Sequence, residues 1–189
     1  MRRATYLLIL AAASVLATGA AAAGLPEVDE AGLPLQCTAE GHYEGEGFAI
    51  DIPRRLHGCD GWPQALLIPL GEADESRYVI VEGSYDPELQ SALAESVDTL
   101  IESFLGSADL VGGRLESRTK TWLGDDRAIR LEFSYFDAEG QPMRIVFVTP
   151  IEGSVHSLSL TTTADAYLED LMVFERIRRS WLRVEEHGC

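Results

Sequence analysis

The stretch that decides the fold is Gly124–Val148, "GDDRAIRLEFSYFDAEGQPMRIVFV". Its first half alternates in polarity, which predicts a strand with one buried face. The apolar face holds Ile129, Leu131, Phe133 and Tyr135, and the polar face holds Arg130, Glu132 and Ser134. The loop "DAEGQ" offers Gly140 for a tight turn, and "PMRIVFVTP" returns as a second strand. The stretch therefore predicts an antiparallel hairpin.

Further strands surround this hairpin. "GRLESRTKTWLG" precedes it, and strict alternation there would place Arg114, Glu116, Arg118, Lys120 and Trp122 on one side. "GSVHSLSLTTT" follows it, with His156, Leu158 and Leu160 on one face. Shorter strands are predicted earlier, in "GFAIDIP", "QALLIPL" and "RYVIVEGS". Consecutive strands joined by short loops predict an antiparallel sheet.

Two long helices are predicted, one before and one after the four-strand run. The first begins at Asp86 and Pro87, a good N-cap and first helical residue, and ends at Gly106. The second begins after a cap at Thr163 or Asp165. Its apolar stripe has helical spacing and consists of Tyr167, Leu171, Phe174, Ile177 and Trp181. The fold class expected is α+β, an antiparallel β-sheet flanked by two long helices.

Several of these pieces resemble the Mog1/PsbP-like fold, including the bacterial PsbP-like exported proteins. They are "FAIDIP", the helix "ELQSALAESVDTLIESFL", the hairpin stretch above, and "VHSLSLTTTADAYLEDLMVFERIRRSWL", which closes on Ser180-Trp181. The resemblance covers Gly47 to Val184. It implies an α/β/α sandwich without a shared active site. It also implies scaffold, accessory, chaperone-like or inhibitory binding roles.

The N-terminus has the layout of a secretory signal peptide, which sets the domain boundaries. Arg2 and Arg3 precede an apolar run that ends in Ala21-Ala22-Ala23, so cleavage by the general export pathway is expected near Ala23. An uncleaved anchor is the alternative. We expect a signal peptide at 1–23, a flexible lead-in at 24–46, a PsbP-like domain at 47–184 and a tail at 185–189. The location expected is periplasmic or secreted.

The chain is strongly acidic, with a formal net charge of −16. Two of its 15 basic residues lie in the leader, so the mature chain would carry −18. This charge argues against nucleic acid and anionic membranes as partners. It favours solubility and is compatible with a basic partner protein; the alternative is that the charge only keeps an exported protein dispersed. After cleavage we expect no membrane association.

Cys37 and Cys59 bracket the segment "CTAEGHYEGEGFAIDIPRRLHGC", which also contains His42 and His57. In an oxidising compartment such a pair is typical of a disulfide. The four side chains are also the residue types of a zinc site, although their spacing matches no familiar zinc motif. Cys189 would then remain a free thiol or link two chains, and pairing of Cys189 with Cys37 or Cys59 stays open.

Function is weakly encoded. Trp62 and Trp122 are the candidate interface residues, because exposed tryptophan is a common interface anchor. No G-x-S-x-G motif occurs, and no catalytic, cofactor-binding or metal residue is assigned; no cofactor is predicted. The function expected is an exported, non-enzymatic binding or accessory protein that inhibits or protects against a partner protein. The alternatives are a small-ligand or metal carrier and an undetected hydrolase.

Overall fold

The computed structural model describes residues 36–45, 47–62, 65–71, 76–84, 97–106, 110–151 and 155–184. These residues form eleven strands and two helices. In chain order the elements are β1 (Gln36–Ala39), β2 (His42–Gly45), β3 (Phe48–Asp51), β4 (Gly58–Trp62), β5 (Ala65–Pro69), β6 (Tyr78–Ser84), α1 (Val97–Leu105), β7 (Val111–Leu123), β8 (Asp126–Phe136), β9 (Pro142–Pro150), β10 (Val155–Thr163), α2 (Tyr167–Ser180) and β11 (Leu182–Arg183).

The main sheet has eight strands in the order β1-β4-β5-β6-β10-β9-β8-β7. Every pairing in it is antiparallel. The run β7 to β10 lies in consecutive order, so the hairpin and strand predictions for this part of the chain are confirmed. β7 forms one edge of the sheet.

The expected architecture of one sheet flanked by two long helices, the α/β/α sandwich, is wrong. The described residues are dominated by strands, and the two helices have only 9 and 14 residues. A second sheet, in the order β11-β3-β2, shares one face of the main sheet with α2. The strand around Phe48 belongs to this second sheet because β11 pairs with it immediately after α2. Residues 86–96, which make up about half of the first predicted helix, lie outside the described residues.

Two buried clusters hold the layers together. The first, on the α2 face, joins α2 and the second sheet to the main sheet, and Phe48 stacks on Trp181 with ring centroids 5.2 Å apart. The second, on the α1 face, joins α1 to β8 and β9, and Phe104 stacks on Phe133 at 5.0 Å. Because β8 alternates strictly, its even-numbered and odd-numbered side chains serve different faces.

A buried ion pair fixes the first turn of α2 to the main sheet. Asp170 is 2% exposed and accepts hydrogen bonds from Arg77 Nε at 2.9 Å and Nη2 at 2.6 Å. The hydroxyl of Thr162 donates to the same carboxylate. Asp170 lies four residues before Phe174, on the stripe that sequence analysis treated as wholly apolar. The buried stripe of α2 therefore begins with a charge that is fully paired.

Candidate protein-binding site

Of the four residues of the Cys37–Cys59 bracket, the structure describes the side chains of His42, His57 and Cys59, and these three form no metal-binding group. His42 lies in β2, with Nδ1 3.0 Å from Asp51 Oδ1 across the β2–β3 pair. His57 precedes β4, with Nδ1 3.1 Å from Glu40 Oε1. Each histidine is exposed and has its own carboxylate. Among the residues that the structure describes, no group of three or more potential metal ligands occurs.

Cys59 lies in a small apolar cluster with Leu67, Tyr78 and Ile80, and it is disulfide-bonded. A disulfide sulfur is not the thiolate that zinc requires. The register of β1 and β4 pairs Gln36 with Asp60 and, after a shift, Ala39 with Gly58, which brings the backbone of Cys37 near Cys59. This register supports the Cys37–Cys59 bridge, which stays a prediction because the side chain of Cys37, like Cys189, lies outside the described part of the chain.

The two predicted interface residues differ in what the structure says of them. Trp62 ends β4, and its side chain lies outside the described residues. Trp122 is the penultimate residue of β7, and 54% of it is exposed. A large indole left in solvent at the end of an edge strand is the kind of side chain that anchors interfaces. Its role as an interface residue stays a prediction.

A β-bulge decides which neighbours Trp122 has. The β7–β8 register shifts between Val111 and Arg114 and again between Leu115 and Ser117. Beyond the second shift, Arg118 pairs with Leu131 and Lys120 with Ile129. Both partners belong to the α1-face cluster, so Arg118, Lys120 and Trp122 point to that face.

Before the bulge, the charged side chains of β7 lie on the other face of the sheet. Arg114 pairs with Ser134, and Ser134 Oγ donates to Glu116 at 2.6 Å. Ser134 is an even-numbered residue of β8, so this group lies on the α2 face. The bond from Ser134, and then that from Arg114, lowers the pKa of Glu116. The single polar side expected from strict alternation is therefore wrong, because one inserted residue reverses the face on which the even-numbered side chains of β7 lie.

Two cationic side chains flank Trp122, although the whole chain is acidic. Lys120 lies two residues before it on the same face, and Arg127 lies directly opposite it on β8. Both are exposed, and neither forms an ion pair with a carboxylate of the described residues. Arg118, farther along the same face, is paired with Asp98 at 2.6 Å. Ile151, bonded through its amide to the Arg127 carbonyl at 2.9 Å, adds a partly exposed apolar side chain. We call Lys120, Trp122, Arg127 and Ile151 the Trp122 corner.

Contacts from α2 fix the backbone beneath the Trp122 corner. Arg178 Nη1 donates to the Trp122 carbonyl, and Arg178 also pairs with Glu175 at 2.8 Å. The turn after β7 passes so close to the end of α2 that a Cβ at Gly124 would lie 2.8 Å from the Trp181 carbonyl oxygen. Gly124 also has φ +57°, which favours glycine. The indole therefore projects from a rigid support.

The anchoring network continues across the sheet. Arg130 of β8 bonds Glu175 at 2.6 Å and Glu132 at 2.8 Å. Tyr167, the first residue of α2, donates its hydroxyl to Glu132 at 2.7 Å. Burial, followed by this hydrogen bond, raises the pKa of the Tyr167 hydroxyl. These contacts hold the first residue and the middle of α2 against β8.

A second exposed apolar surface lies on the outer side of α2. Leu168 and Met172 are 74% and 76% exposed, one helical turn apart. Arg176 and Arg179 continue the same side of the helix. This side of α2 lies on the opposite face of the main sheet from the Trp122 corner.

The sequence pattern placed Lys120 beside Trp122 but did not identify the other two residues of the Trp122 corner. Lys120 was assigned to the correct side, but Arg127 belongs to a different strand and Ile151 follows a proline. Only the strand register brings them together. Their one advance signal was the hairpin itself, because residues equidistant from a predicted turn lie opposite each other.

The comparisons with solved structures show the fold. The chain is similar to the solution structure of cyanobacterial PsbP (CyanoP) from Synechocystis sp. PCC 6803, with 12% identity and a TM-score of 0.51 over 79% of this chain and 95% of that chain. The expected resemblance to the PsbP-like fold is thereby confirmed. At this identity the likeness shows the fold alone.

Two other structures have lower scores. One is PA94 from Pseudomonas aeruginosa, described as a protein of unknown function and putative regulator, with 14% identity and a TM-score of 0.46 over 80% of this chain and 99% of that chain. The other is LpqN of Mycobacterium tuberculosis, described as involved in cell envelope biogenesis, with 16% identity and 0.43 over 80% and 92%. No family model and no curated protein matches the chain.

Proposed function

We propose that this PsbP-like chain is an exported, non-catalytic accessory protein that binds another protein through the Trp122 corner. The observation that carries the proposal is the exposed indole, held on a rigid support and flanked by two cations. Interfaces take much of their energy from such aromatic and basic anchors. Rigid support reduces the ordering cost that binding must offset.

The export part of the proposal rests on the sequence. The basic start, the apolar run and the Ala21-Ala22-Ala23 end have the layout of a cleaved leader. A disulfide at Cys59 is consistent with an oxidising compartment. Among the described residues, neither helix has the length and apolar character needed to cross a bilayer.

The charge of the partner depends on which surface is considered. The net charge of −16 favours a basic partner for the chain as a whole. The Trp122 corner, however, presents Lys120 and Arg127. At physiological ionic strength, screening over about 8 Å makes the local charges decide a close contact. Because Lys120 and Arg127 are the charges nearest the indole, we propose that the partner contacts the Trp122 corner with an acidic segment, whatever the charge of the rest of the partner.

Site-specific photocrosslinking tests this function. A benzoylphenylalanine placed at position 122 in the full chain, expressed in its own host, should capture one dominant protein. The same group at position 169 is the matched control, because Glu169 is exposed on α2 away from the corner. We expect the captured species at 122 and not at 169. Equal capture at both positions, or none at 122, refutes the assignment of the corner.

A charge variant provides an independent readout. Lys120→Glu should strongly reduce the crosslink from position 122, since it places a like charge before the acidic segment. Arg176→Glu introduces the same change on the outer side of α2 and should leave the crosslink intact. If both variants reduce capture equally, overall charge rather than the corner controls binding.

A further inference from the structure

Among the described strands, the outer edge of β7 has no neighbour. β7 ends the strand order of the main sheet, and no other described strand pairs with it on that side. In an antiparallel pair, alternate residues direct their backbone N–H and C=O groups away from the neighbouring strand. Such an edge is a template for one more strand, and proteins usually protect it with bulges, charges or proline.

Only the first half of β7 is protected by irregularity. Both register shifts lie between Val111 and Ser117, where they interrupt any regular ladder. From Ser117 to Leu123 the pairing with β8 runs without a shift. This second half, Arg118–Leu123, contains no proline and no glycine. It is therefore straight enough to accept a neighbour.

We propose that Arg118–Leu123 binds an extended acidic segment of the partner protein by strand addition. This inference rests on the proposed function, because it uses the Trp122 corner and specifies how the partner engages it. Backbone hydrogen bonds to the free edge would provide affinity, and the side chains on the α1 face would provide selectivity. The two contributions can be tested separately.

Side-chain alternation specifies the segment. Lys120 and Trp122 point to the same face and are two residues apart, so the residues opposite them in the added strand are also two apart. Opposite charges and aromatic pairs are the favourable cross-strand neighbours. An antiparallel partner would therefore carry an apolar or aromatic residue, any residue, then an acidic residue. Thr119 and Thr121 on the other face are β-branched and suit a strand.

A second copy of this chain fits the edge less well. Two copies would approach with the same net charge of −16, which opposes association. Antiparallel self-pairing centred on Thr119 or Lys120 would also set Arg118 or Lys120 opposite another cation. Like charges directly opposite destabilise a pair of strands. The acidic segment of a different protein avoids both problems.

The test uses a designed probe rather than the unidentified partner. The capped peptide TYTETET places its tyrosine opposite Trp122 and its glutamates opposite Lys120 and Arg118 in antiparallel pairing. The control TYETETT has the same composition but turns both glutamates to the other face. Titration is followed by amide chemical shifts and hydrogen exchange of the full mature chain. We expect saturable changes and new protection at alternate residues of Arg118–Leu123 with TYTETET, and about fivefold weaker binding of the control.

N-methylation separates strand addition from side-chain docking. One peptide is methylated at the amide nitrogens of positions 2, 4 and 6, and another at positions 3, 5 and 7. In a strand, only one of these sets faces β7. One methylated peptide should therefore lose binding while the other retains it. If both bind equally, or if neither unmethylated peptide binds at millimolar concentration, strand addition is refuted.

Two further outcomes separate this inference from the function on which it rests. If photocrosslinking from position 122 succeeds while the N-methyl peptides behave alike, the partner docks through side chains and only strand addition fails. If alternate amides of Arg118–Leu123 are already protected without peptide, increasingly at higher protein concentration, a second copy occupies the edge and the acidic partner segment is wrong.

Discussion

Replacing Asp170 with asparagine should remove a large share of the stability of this fold. Asparagine keeps the shape of the side chain but loses its charge, so Arg77 is left partly buried without its counter-ion. One carboxylate oxygen becomes an amide donor that faces the donors of the guanidinium, and the bidentate contact at 2.6 and 2.9 Å is broken. Breaking one partner of a buried pair costs about 3–5 kcal/mol. Because the 19% exposure of Arg77 admits some solvent, we expect about 3 kcal/mol.

Urea unfolding of the mature chain, followed by circular dichroism, measures this loss. In a thermal melt, each kcal/mol corresponds to roughly 2–4 °C for a chain of this size, so the melting temperature should fall by about 6–12 °C. Glu169→Gln is the matched control. It removes an exposed acid from the same turn of α2 and should cost no more than about 1 kcal/mol through the helix dipole.

A double substitution tests the cause. Replacing Asp170 and Arg77 together by leucine and methionine removes both charges, and such apolar replacements are often neutral or stabilising. The double variant should therefore be more stable than Asp170→Asn alone. If Asp170→Asn and Glu169→Gln destabilise equally, the pair does not hold α2 in place and the reasoning fails.

Three other predictions follow from buried groups and tight turns. Burial lowers the pKa of His156 below its ordinary value of 6.5, so the unfolded chain binds the proton more tightly than the folded chain. The free energy of unfolding should therefore fall as the pH drops below about 6.5. In urea titrations at pH 7.5 and 5, His156→Gln should show a smaller difference between the two pH values. Gly124→Ala should cost about 1–3 kcal/mol in thermal melts, more than Gly140→Ala, where a Cβ meets nothing within 4 Å. Thiol counting on the unreduced mature chain should give one reactive thiol, mapped to Cys189, whereas three thiols would exclude the bridge between β1 and β4. Reducing the disulfide should lower the free energy of unfolding by about 3 kcal/mol.

Much of the main sheet could be predicted from sequence because its strands report their own environment. Leu131 and Phe133 alternate with Arg130 and Glu132, and the structure buries the first pair while leaving the second at an ionic surface. In α2, helical spacing correctly identified Phe174 and Ile177 as core residues. Local periodicity was sufficient wherever an element packs against one layer on each face.

The second sheet could not be predicted in this way. β11 consists of Leu182 and Arg183 only, too short to show any period, and it pairs with β3 near the other end of the described chain. The sequence also contains no signal for the bulge near Leu115, because an inserted residue looks like any other. Asp170 had a signal that went unused: an acid in register with Phe174 requires a buried partner.

The pairing of β11 with β3 also bears on how the protein folds. Its two strands come from opposite ends of the described chain, so pairing them requires closing a very long loop. Contacts of this kind slow folding, because the chain entropy lost on closing the loop must be overcome before the contact stabilises the structure. Phe48 and Trp181, which stack beside this pairing, can meet only after α2 has been synthesised. The last residues of the domain thus complete a layer begun by its first, and until then part of the first buried cluster stays open to solvent.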